Sequence, residues 1–232
     1  MRQGVFVLIG LMGVFSLSAD ARRGAVPEVG LDVRWSQSAE HDAVIAGIYA
    51  SALDEILHTA TRLPADARWV VVSDVDETLI DNSAYQIETG SNYTPETWAE
   101  WEARGEAVPL EGALGFVGAI HAAGGQMAYV TNRKNHDATL ALLKQHGMWG
   151  EDDRLCVRVE ESDKSSRRAS IREGTAGCGW EGQPMRVLAY LGDQRGDFPA
   201  EEEEPSDGTR RWGASWFMVP NPMYGDWARD VE

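Results

Sequence analysis

One short stretch, Trp69-Val70-Val71-Val72-Ser73-Asp74-Val75-Asp76-Glu77-Thr78, passes from apolar to acidic residues without a break. Its first half is rich in β-branched residues and shows no polar alternation, which is typical of a central parallel strand covered on both faces. The carboxylates start where this strand ends, and open α/β sheets bind ligands beyond the carboxyl ends of their strands. The stretch therefore predicts a buried strand that carries acidic side chains into a functional site.

The segments on either side alternate between helix and strand patterns. Apolar residues at three- and four-residue steps predict an amphipathic helix over 38–62, and Thr94 followed by Pro95 predicts the start of a short helix after the acidic stretch. Beyond it we predict helices over 112–120, 137–146 and 164–171. We predict strands over 126–130, 155–159, 186–191 and 214–219. This alternation predicts an α/β fold with a parallel sheet and right-handed crossovers.

The N-terminal residues have the pattern of an export signal. An apolar run over 5–17 precedes Ala19-Asp20-Ala21, which is a small-x-small cleavage site. The run is shorter than the roughly 20 residues that a membrane-spanning helix needs. We expect a signal peptide over 1–21, a single mature domain over 22–232 and a periplasmic or secreted location. An uncleaved anchor or an interfacial helix is the alternative.

The chain is strongly acidic, with a formal net charge of -16. A surface of this sign repels nucleic acid and anionic membranes at long range, so we expect no nucleic-acid polymer among the partners. A phosphate-bearing substrate must then be captured by a local positive centre such as a metal ion.

Two cysteines are present, Cys156 and Cys178. In an oxidising compartment they can close one loop, which would contribute about 3 kcal/mol to the free energy of unfolding. Two buried free thiols fit the sequence equally well.

Asp74 and Asp76 are two carboxylates separated by one residue at a predicted strand end. One can act as a nucleophile and metal ligand and the other as an acid and base. By itself, however, an Asp-x-Asp pair is usually no more than two loop aspartates that end a strand.

Other polar groups follow the other predicted strands, namely Thr131-Asn132-Arg133, then Lys164, then Asp193 with Asp197. Because the carboxyl ends of parallel strands meet at one edge, these groups would converge on Asp74. A hydroxyl donor, an ammonium and an oxygen-rich cation site are what phosphoryl transfer requires.

Four segments resemble the signatures of the class C nonspecific acid phosphatases, a branch of the haloacid-dehalogenase-like (HAD) superfamily. They are 74–85, Val130-Thr131-Asn132-Arg133, 192–198 and the near-terminal 220–225. The resemblance spans roughly 38–227 and implies a Rossmann-like three-layer α/β/α HAD-like fold with a central parallel sheet. It also implies a small helical cap, built from the N-terminal helix (about 37–66) and the insert after the first motif (about 84–108).

The resemblance implies a role for each matching residue. Asp74 would attack phosphorus and bind Mg²⁺, and Asp76 would protonate the leaving oxygen, activate water and bind the metal through its carbonyl. Asp193, supported by Asp197, would complete the metal shell.

The remaining matches concern the phosphoryl group. Thr131, with Asn132 beside it, would donate hydrogen bonds to its oxygens, and Lys164 would neutralise charge on it and on Asp74. The plainer alternatives are that Thr131 caps the next helix and that Lys164 lies on the surface, with Arg167 taking its place.

Substrate contacts are expected from Tyr85, Arg133 and Tyr224. Flat aromatic faces suit stacking on a nucleobase or an aryl ring. Trp98 and Trp101, at i and i+3, fit equally well as residues that pack a helix against the N-terminal helix.

The sequence thus predicts an Mg²⁺-dependent acid phosphatase that hydrolyses small phosphomonoesters, such as nucleoside 5'-monophosphates or aryl phosphates, through a phosphoaspartyl intermediate. The resemblance implies a homodimer. No cysteine stands directly after the predicted cleavage site, where Arg22 is found, so we expect no lipid anchor. Carbon–halogen hydrolysis is disfavoured because that reaction does not use Asp76. A catalytically weak binding or storage protein on the same fold is disfavoured because Asp74 is present.

Overall fold

The computed structural model describes residues 29–200, 203 and 211–228. The predicted signal peptide over 1–21 lies outside these residues. The strands are β1 (Trp69–Ser73), β2 (Ile80–Asp81), β3 (Val108–Pro109), β4 (Gln126–Val130), β5 (Arg154–Cys156), β6 (Arg186–Gly192) and β7 (Trp216–Met218).

Five of these strands form one parallel sheet in the order β5-β4-β1-β6-β7. The Val-rich strand β1 is central, and all of its residues are buried. The predicted parallel sheet and the predicted place of β1 within it are therefore confirmed.

The helices are α1 (Leu31–Ser36), α2 (Ala39–Ala60), α3 (Ser83–Thr89), α4 (Pro95–Arg104), α5 (Ala113–Ala122), α6 (His136–Gln145) and α7 (Ser165–Glu173). Side-chain caps start three of them, because Ser38, Thr94 and Asn135 each accept a hydrogen bond from a backbone amide in the first turn. Gly90 and Gly105 end α3 and α4 with positive φ angles, a conformation that glycine adopts without strain.

The core lies on both faces of the sheet, which makes the fold three-layered. Val71 packs into a large apolar cluster with residues of α2, α5 and α6, whereas Val70 and Val72 pack into a second cluster with Ile171 of α7. This division follows from the alternation of side chains along a strand. It confirms the predicted α/β/α architecture.

The long helix α2 lies against α5 and β6 on one face of the sheet. It also reaches the loop after β1, where the Tyr49 hydroxyl donates to the carbonyl of Thr78. The insert after that loop supplies α3, α4 and the two-stranded ribbon β2–β3. Sequence patterns gave no sign of α3 or of this ribbon, whose strands have only two residues each.

Two strands are shorter than predicted. Strand β5 ends at Cys156, and two residues later the Arg158 amide donates to the Arg133 carbonyl in the loop after β4. Strand β7 covers Trp216–Met218 within the predicted 214–219.

A disulfide joins Cys156, at the end of β5, to Cys178 in the loop after α7. The structure thus selects the disulfide over the alternative of two free thiols. Among the described residues, none of the helices has both the length and the apolar character needed to cross a membrane.

Candidate active site

A cavity of ≈ 700 Å³ opens at the carboxyl ends of the sheet strands. Its floor consists of polar residues that follow β1, β4 and β6, and its walls come from the insert and the C-terminal segment. Among the residues that line it are Asp74, Asp76, Tyr85, Trp98, Asn132, Lys164, Asp193, Asp197 and Tyr224.

Lys164 lies at the centre of the floor. Its Nζ is 2.6 Å from Asp74 Oδ1 and 2.6 Å from Asp197 Oδ1, and all three side chains are buried. Lys164 directly precedes α7, so this helix brings the ammonium beneath the end of β1. Burial opposes its charged form, but the carboxylates of Asp197 and Asp74 raise the pKa of Lys164 above its ordinary value.

Asp74, Asp193 and Asp197 form a buried acidic cluster in which one oxygen of each lies within 4.8 Å of the others. The backbone supports this closeness, because a side chain at Gly192 would collide with Asp197. Asn221, from the C-terminal segment, donates from Nδ2 to Asp193 Oδ2 at 2.8 Å. The cluster therefore joins the ends of β1 and β6 to the tail.

Two carboxyl groups of this cluster, those of Asp74 and Asp193, resist ionisation. Burial, opposed by Lys164 and reinforced by Asp197 and Asp76, raises the pKa of Asp74 to about 7. Burial and the charges on Asp74 and Asp197 raise the pKa of Asp193 well above its ordinary value. A hard divalent cation with oxygen ligands suits such a group, since it compensates the charge that Lys164 alone leaves unbalanced.

Asp76 makes a bidentate ion pair with Arg133. The Arg133 Nη2–Asp76 Oδ1 distance is 2.7 Å and the Nε–Oδ1 distance is 2.9 Å. Arg133 is only 2% exposed and does not line the cavity. This differs from the predicted contact of Arg133 with substrate, because the Asp76 carboxylate holds the guanidinium behind the cavity floor.

Thr131 and Asn132 take different positions after β4. Thr131 is fully buried, its Oγ1 accepts from the Arg133 amide at 3.1 Å, and it does not line the cavity. Asn132 lines the cavity, and its Oδ1 accepts from Arg167 Nη2. The alternative in which Thr131 caps the next helix is wrong, since Asn135 is the N-cap of α6.

Lys164, and not Arg167, is the basic residue that contacts Asp74. Lys164 is 5% exposed and is not a surface residue. Arg167 donates a hydrogen bond to the Thr131 carbonyl at 2.6 Å. It therefore stabilises the loop after β4.

Aromatic residues form part of the cavity wall. The Tyr85 and Trp98 ring centroids are 5.1 Å apart, and both residues line the cavity together with Tyr93 and Tyr224. Trp101 is buried away from the cavity, and its indole N–H donates to Asn82 Oδ1 at 2.9 Å. The two tryptophans therefore pack around Tyr85 within the insert.

Three polar residues near the site were not singled out from the sequence. Asn82 and Glu102 surround the Asp76–Arg133 pair, and Asn221 supports Asp193. Asn82 and Asn221 lie inside the quoted first and last signatures, so those motifs carried the signal. Glu102 lies on an ordinary polar helix, whose sequence gives no reason to choose it.

Known proteins are similar to this chain over most of its length. The family model described as HAD superfamily, subfamily IIIB (acid phosphatase), matches residues 25–227. The class C acid phosphatase from Bacillus anthracis is 27% identical, with 84% of each chain covered and a TM-score of 0.68. A crystal structure of the class C acid phosphatase from Bacillus anthracis with tungstate bound is 26% identical, with the same coverage and TM-score.

Proposed function

This chain belongs to subfamily IIIB of the HAD superfamily, the acid phosphatases, and is therefore a phosphomonoester hydrolase, and we propose that it works through a covalent phosphoryl-Asp74 intermediate with Mg²⁺ as its cofactor. The observation that carries this proposal is the buried contact of Asp74 with Lys164 at the cavity floor. A carboxylate in that position has an ammonium beside it to balance the charge of an incoming phosphoryl group.

The residues of the acidic cluster fit a magnesium site. Asp74, Asp193 and Asp197 offer carboxylate oxygens within 4.8 Å of one another, and Mg²⁺ prefers such oxygens. We assign Asp74 and Asp193 as direct ligands, Asp76 as a ligand through its backbone carbonyl, and Asp197 as support. When bound, Mg²⁺ supplies positive charge that stabilises the developing negative charge on the phosphoryl oxygens.

The protein's own groups carry the two half-reactions. In the first, an Asp74 oxygen forms a bond to phosphorus, the bond from phosphorus to the ester oxygen breaks, and Asp76 gives its proton to that oxygen. In the second, Asp76 takes a proton from water while the water oxygen bonds to phosphorus. The bond from phosphorus to Asp74 then breaks, which releases phosphate and restores both carboxyl groups.

Asn132 and Lys164 position the phosphoryl group in this proposal. Asn132 lines the cavity and offers an amide donor, and Lys164 offers an ammonium that already contacts Asp74. Thr131 helps to hold the loop after β4 in place, because its carbonyl accepts a hydrogen bond from Arg167 and its buried hydroxyl accepts one from the Arg133 amide. The tungstate bound in the similar Bacillus anthracis structure is a tetrahedral oxyanion like phosphate, which supports an oxyanion site here.

The substrates that fit best are phosphomonoesters with a flat organic group, namely nucleoside 5'-monophosphates and aryl phosphates. The cavity of ≈ 700 Å³ is far larger than a phosphate ion needs. Tyr85 and Tyr224 line it together with Trp98, and aromatic side chains stack on flat rings.

We further propose that the protein is exported and acts on small molecules. The Cys156–Cys178 disulfide supports an oxidising compartment, which agrees with the predicted signal peptide. The net charge of -16 opposes binding of nucleic-acid polymers. A homodimer without a lasting membrane anchor completes the proposal.

Phosphate release by purified residues 22–232 tests the mechanism. We expect turnover of 4-nitrophenyl phosphate and nucleoside 5'-monophosphates with Mg²⁺, and its loss on chelation. Asp74→Asn is expected to lower kcat by about 10⁴-fold or more, because the nucleophile is removed. The matched control is Asp66→Asn, which changes an exposed aspartate.

Acid quenching during turnover tests the intermediate itself. ³²P from a labelled ester should remain attached to the wild-type chain and be absent from Asp74→Asn. Full activity of Asp74→Asn, or turnover that is insensitive to chelation, would contradict the proposed mechanism.

A further inference from the structure

Asp76 has two oxygens in unequal surroundings. Oδ1 accepts from Arg133 Nη2 at 2.7 Å, from Arg133 Nε at 2.9 Å and from Asn82 Nδ2 at 2.9 Å. Oδ2 accepts only from Arg133 Nε, at 3.1 Å, among the described residues. Since Oδ1 already has three donors, Oδ2 is the oxygen with free capacity to carry a proton.

We propose that the cap helix α4 fixes this asymmetry, so that Trp101 and Glu102 act as positioning residues for proton transfer by Asp76 Oδ2. The proposal rests on the proposed role of Asp76 as acid and base. It adds that the insert has a catalytic purpose besides forming a wall of the cavity.

Trp101 acts through Asn82. The indole N–H of Trp101 donates to Asn82 Oδ1 at 2.9 Å, and Arg133 Nη2 donates to the same oxygen at 3.2 Å. These donors determine which end of the amide is the oxygen, so the amide NH₂ must face Asp76 Oδ1. Asn82 is completely buried, so loss of the indole N–H would leave Arg133 as the only side chain among the described residues that donates to Asn82 Oδ1.

Glu102 acts on Arg133. The Glu102 Oε1–Arg133 Nε distance is 4.0 Å, and both side chains are buried. The Arg133 guanidinium also lies over the Trp98 ring, 5.5 Å from its centroid. Helix α4 thus contacts the guanidinium with one carboxylate and one aromatic face.

The position of Asp76 matters most for esters with poor leaving groups. During the first half-reaction the bond from phosphorus to the ester oxygen breaks, and the Asp76 Oδ2 proton moves to that oxygen. An alkoxide leaves poorly without this proton, whereas 4-nitrophenolate leaves readily as an anion. A misplaced Asp76 therefore slows esters of poor leaving groups much more than 4-nitrophenyl phosphate.

The first variant is Trp101→Phe, which removes one N–H group and keeps an aromatic ring. The values of kcat/KM are compared for 4-nitrophenyl phosphate, phenyl phosphate and an alkyl phosphate, because kcat/KM reports the steps up to departure of the leaving group. We expect a loss of about 10-fold or more for the alkyl ester, on the scale of a partly impaired general acid, and less than about 3-fold for 4-nitrophenyl phosphate.

The matched control is Glu100→Gln, which changes an exposed residue of the same helix. It should leave all three values unchanged. Equal losses for all esters in Trp101→Phe would overturn the proposal in favour of a merely structural role, and so would no loss for the alkyl ester.

Arg133→Lys and Arg133→Gln provide a second measurement in case Trp101→Phe folds poorly. Lysine keeps the charge but loses the bidentate contact, so it should retain part of the alkyl-ester activity that glutamine loses. If the two variants lose activity equally on every ester, the positioning role is refuted. Failure of the proposed function would appear differently, as absent turnover of all three esters by the unmodified enzyme.

Discussion

Lys164 Nζ lies 2.6 Å from Asp74 Oδ1, and the two side chains are only 6% and 9% exposed. The pair joins the start of α7 to the end of β1, 90 residues apart in the chain. A buried ammonium that also contacts Asp197 is held in one place, because moving it would leave two carboxylates without a cation. The structure therefore holds a preformed ammonium group at the cavity floor, among the acidic side chains.

Replacement of Lys164 by methionine removes this ammonium group at nearly constant side-chain volume. We expect kcat for 4-nitrophenyl phosphate to fall by about 10²–10³-fold, the scale observed when one charge-stabilising donor is lost from an active site. Steady-state kinetics of Lys164→Met should be compared with Lys134→Met, an exposed lysine beyond β4. A kcat within about threefold of the unmodified enzyme would show that Lys164 has a structural role alone.

The sheet could be predicted from the sequence because its strands are short apolar runs between helices. Val70, Val71 and Val72 are buried in the clusters on the two faces of the sheet. The absence of polar alternation among them predicts this burial. The two-residue strands β2 and β3 are too short to produce any periodic pattern. The end of β5 was also not predicted, because Val157 and Val159 continue the apolar pattern beyond Cys156, where the strand ends.

The site was predictable where residues follow strands, and less so where they lie on helices. Asp74, Asp193 and Asp197 converge as their positions after β1 and β6 required. Arg133 follows β4 as well, but its partner depends on rotamers and on neighbours from α4, which sequence spacing does not determine. Glu102 illustrates the limit, because only the packing of the insert brings it near Asp76.

The acidic cluster predicts opposite effects of pH on the metal-free and metal-loaded protein. Burial raises the pKa of Asp74 to about 7, above its value of 3.8 in an unfolded chain. A carboxyl with a raised pKa keeps its proton longer in the folded state, so its contribution to stability falls as pH rises from about 4 to 7. A bound cation competes with that proton, so its affinity should rise over the same interval.

Thermal unfolding at pH 5 and pH 7.5, with Mg²⁺ or with chelator, measures both effects. We expect saturating Mg²⁺ to raise Tm by about 5 °C or more at pH 7.5 and by less at pH 5. Asp193→Asn should abolish this gain, whereas Asp137→Asn, at a side chain that is 99% exposed, should preserve it. A gain of equal size at both pH values, or one that persists in Asp193→Asn, would argue against the assigned ligands.

The Cys156–Cys178 disulfide should stabilise the fold. It spans a separation of 22 residues, for which loop closure predicts about 3 kcal/mol in the free energy of unfolding. Urea unfolding with and without a reductant measures this difference, and a Cys156→Ala/Cys178→Ala double variant should behave alike under both conditions. A reductant that leaves the midpoint of the unmodified protein unchanged would contradict this expectation.

Tyr224 provides the sharpest test of substrate choice, because it lines the cavity and is only partly buried. If its ring stacks on the organic group of the substrate, Tyr224→Ala should lower kcat/KM for nucleoside 5'-monophosphates by about 5- to 100-fold, the range of base–aromatic stacking energies. Tyr224→Phe keeps the ring and should retain most of this activity. An alkyl phosphate has no flat group to stack, so its kcat/KM should change little in either variant. Equal losses for the nucleotide and the alkyl ester would mean that Tyr224 supports the tail segment around Asn221 and Asp193, and does not select the substrate.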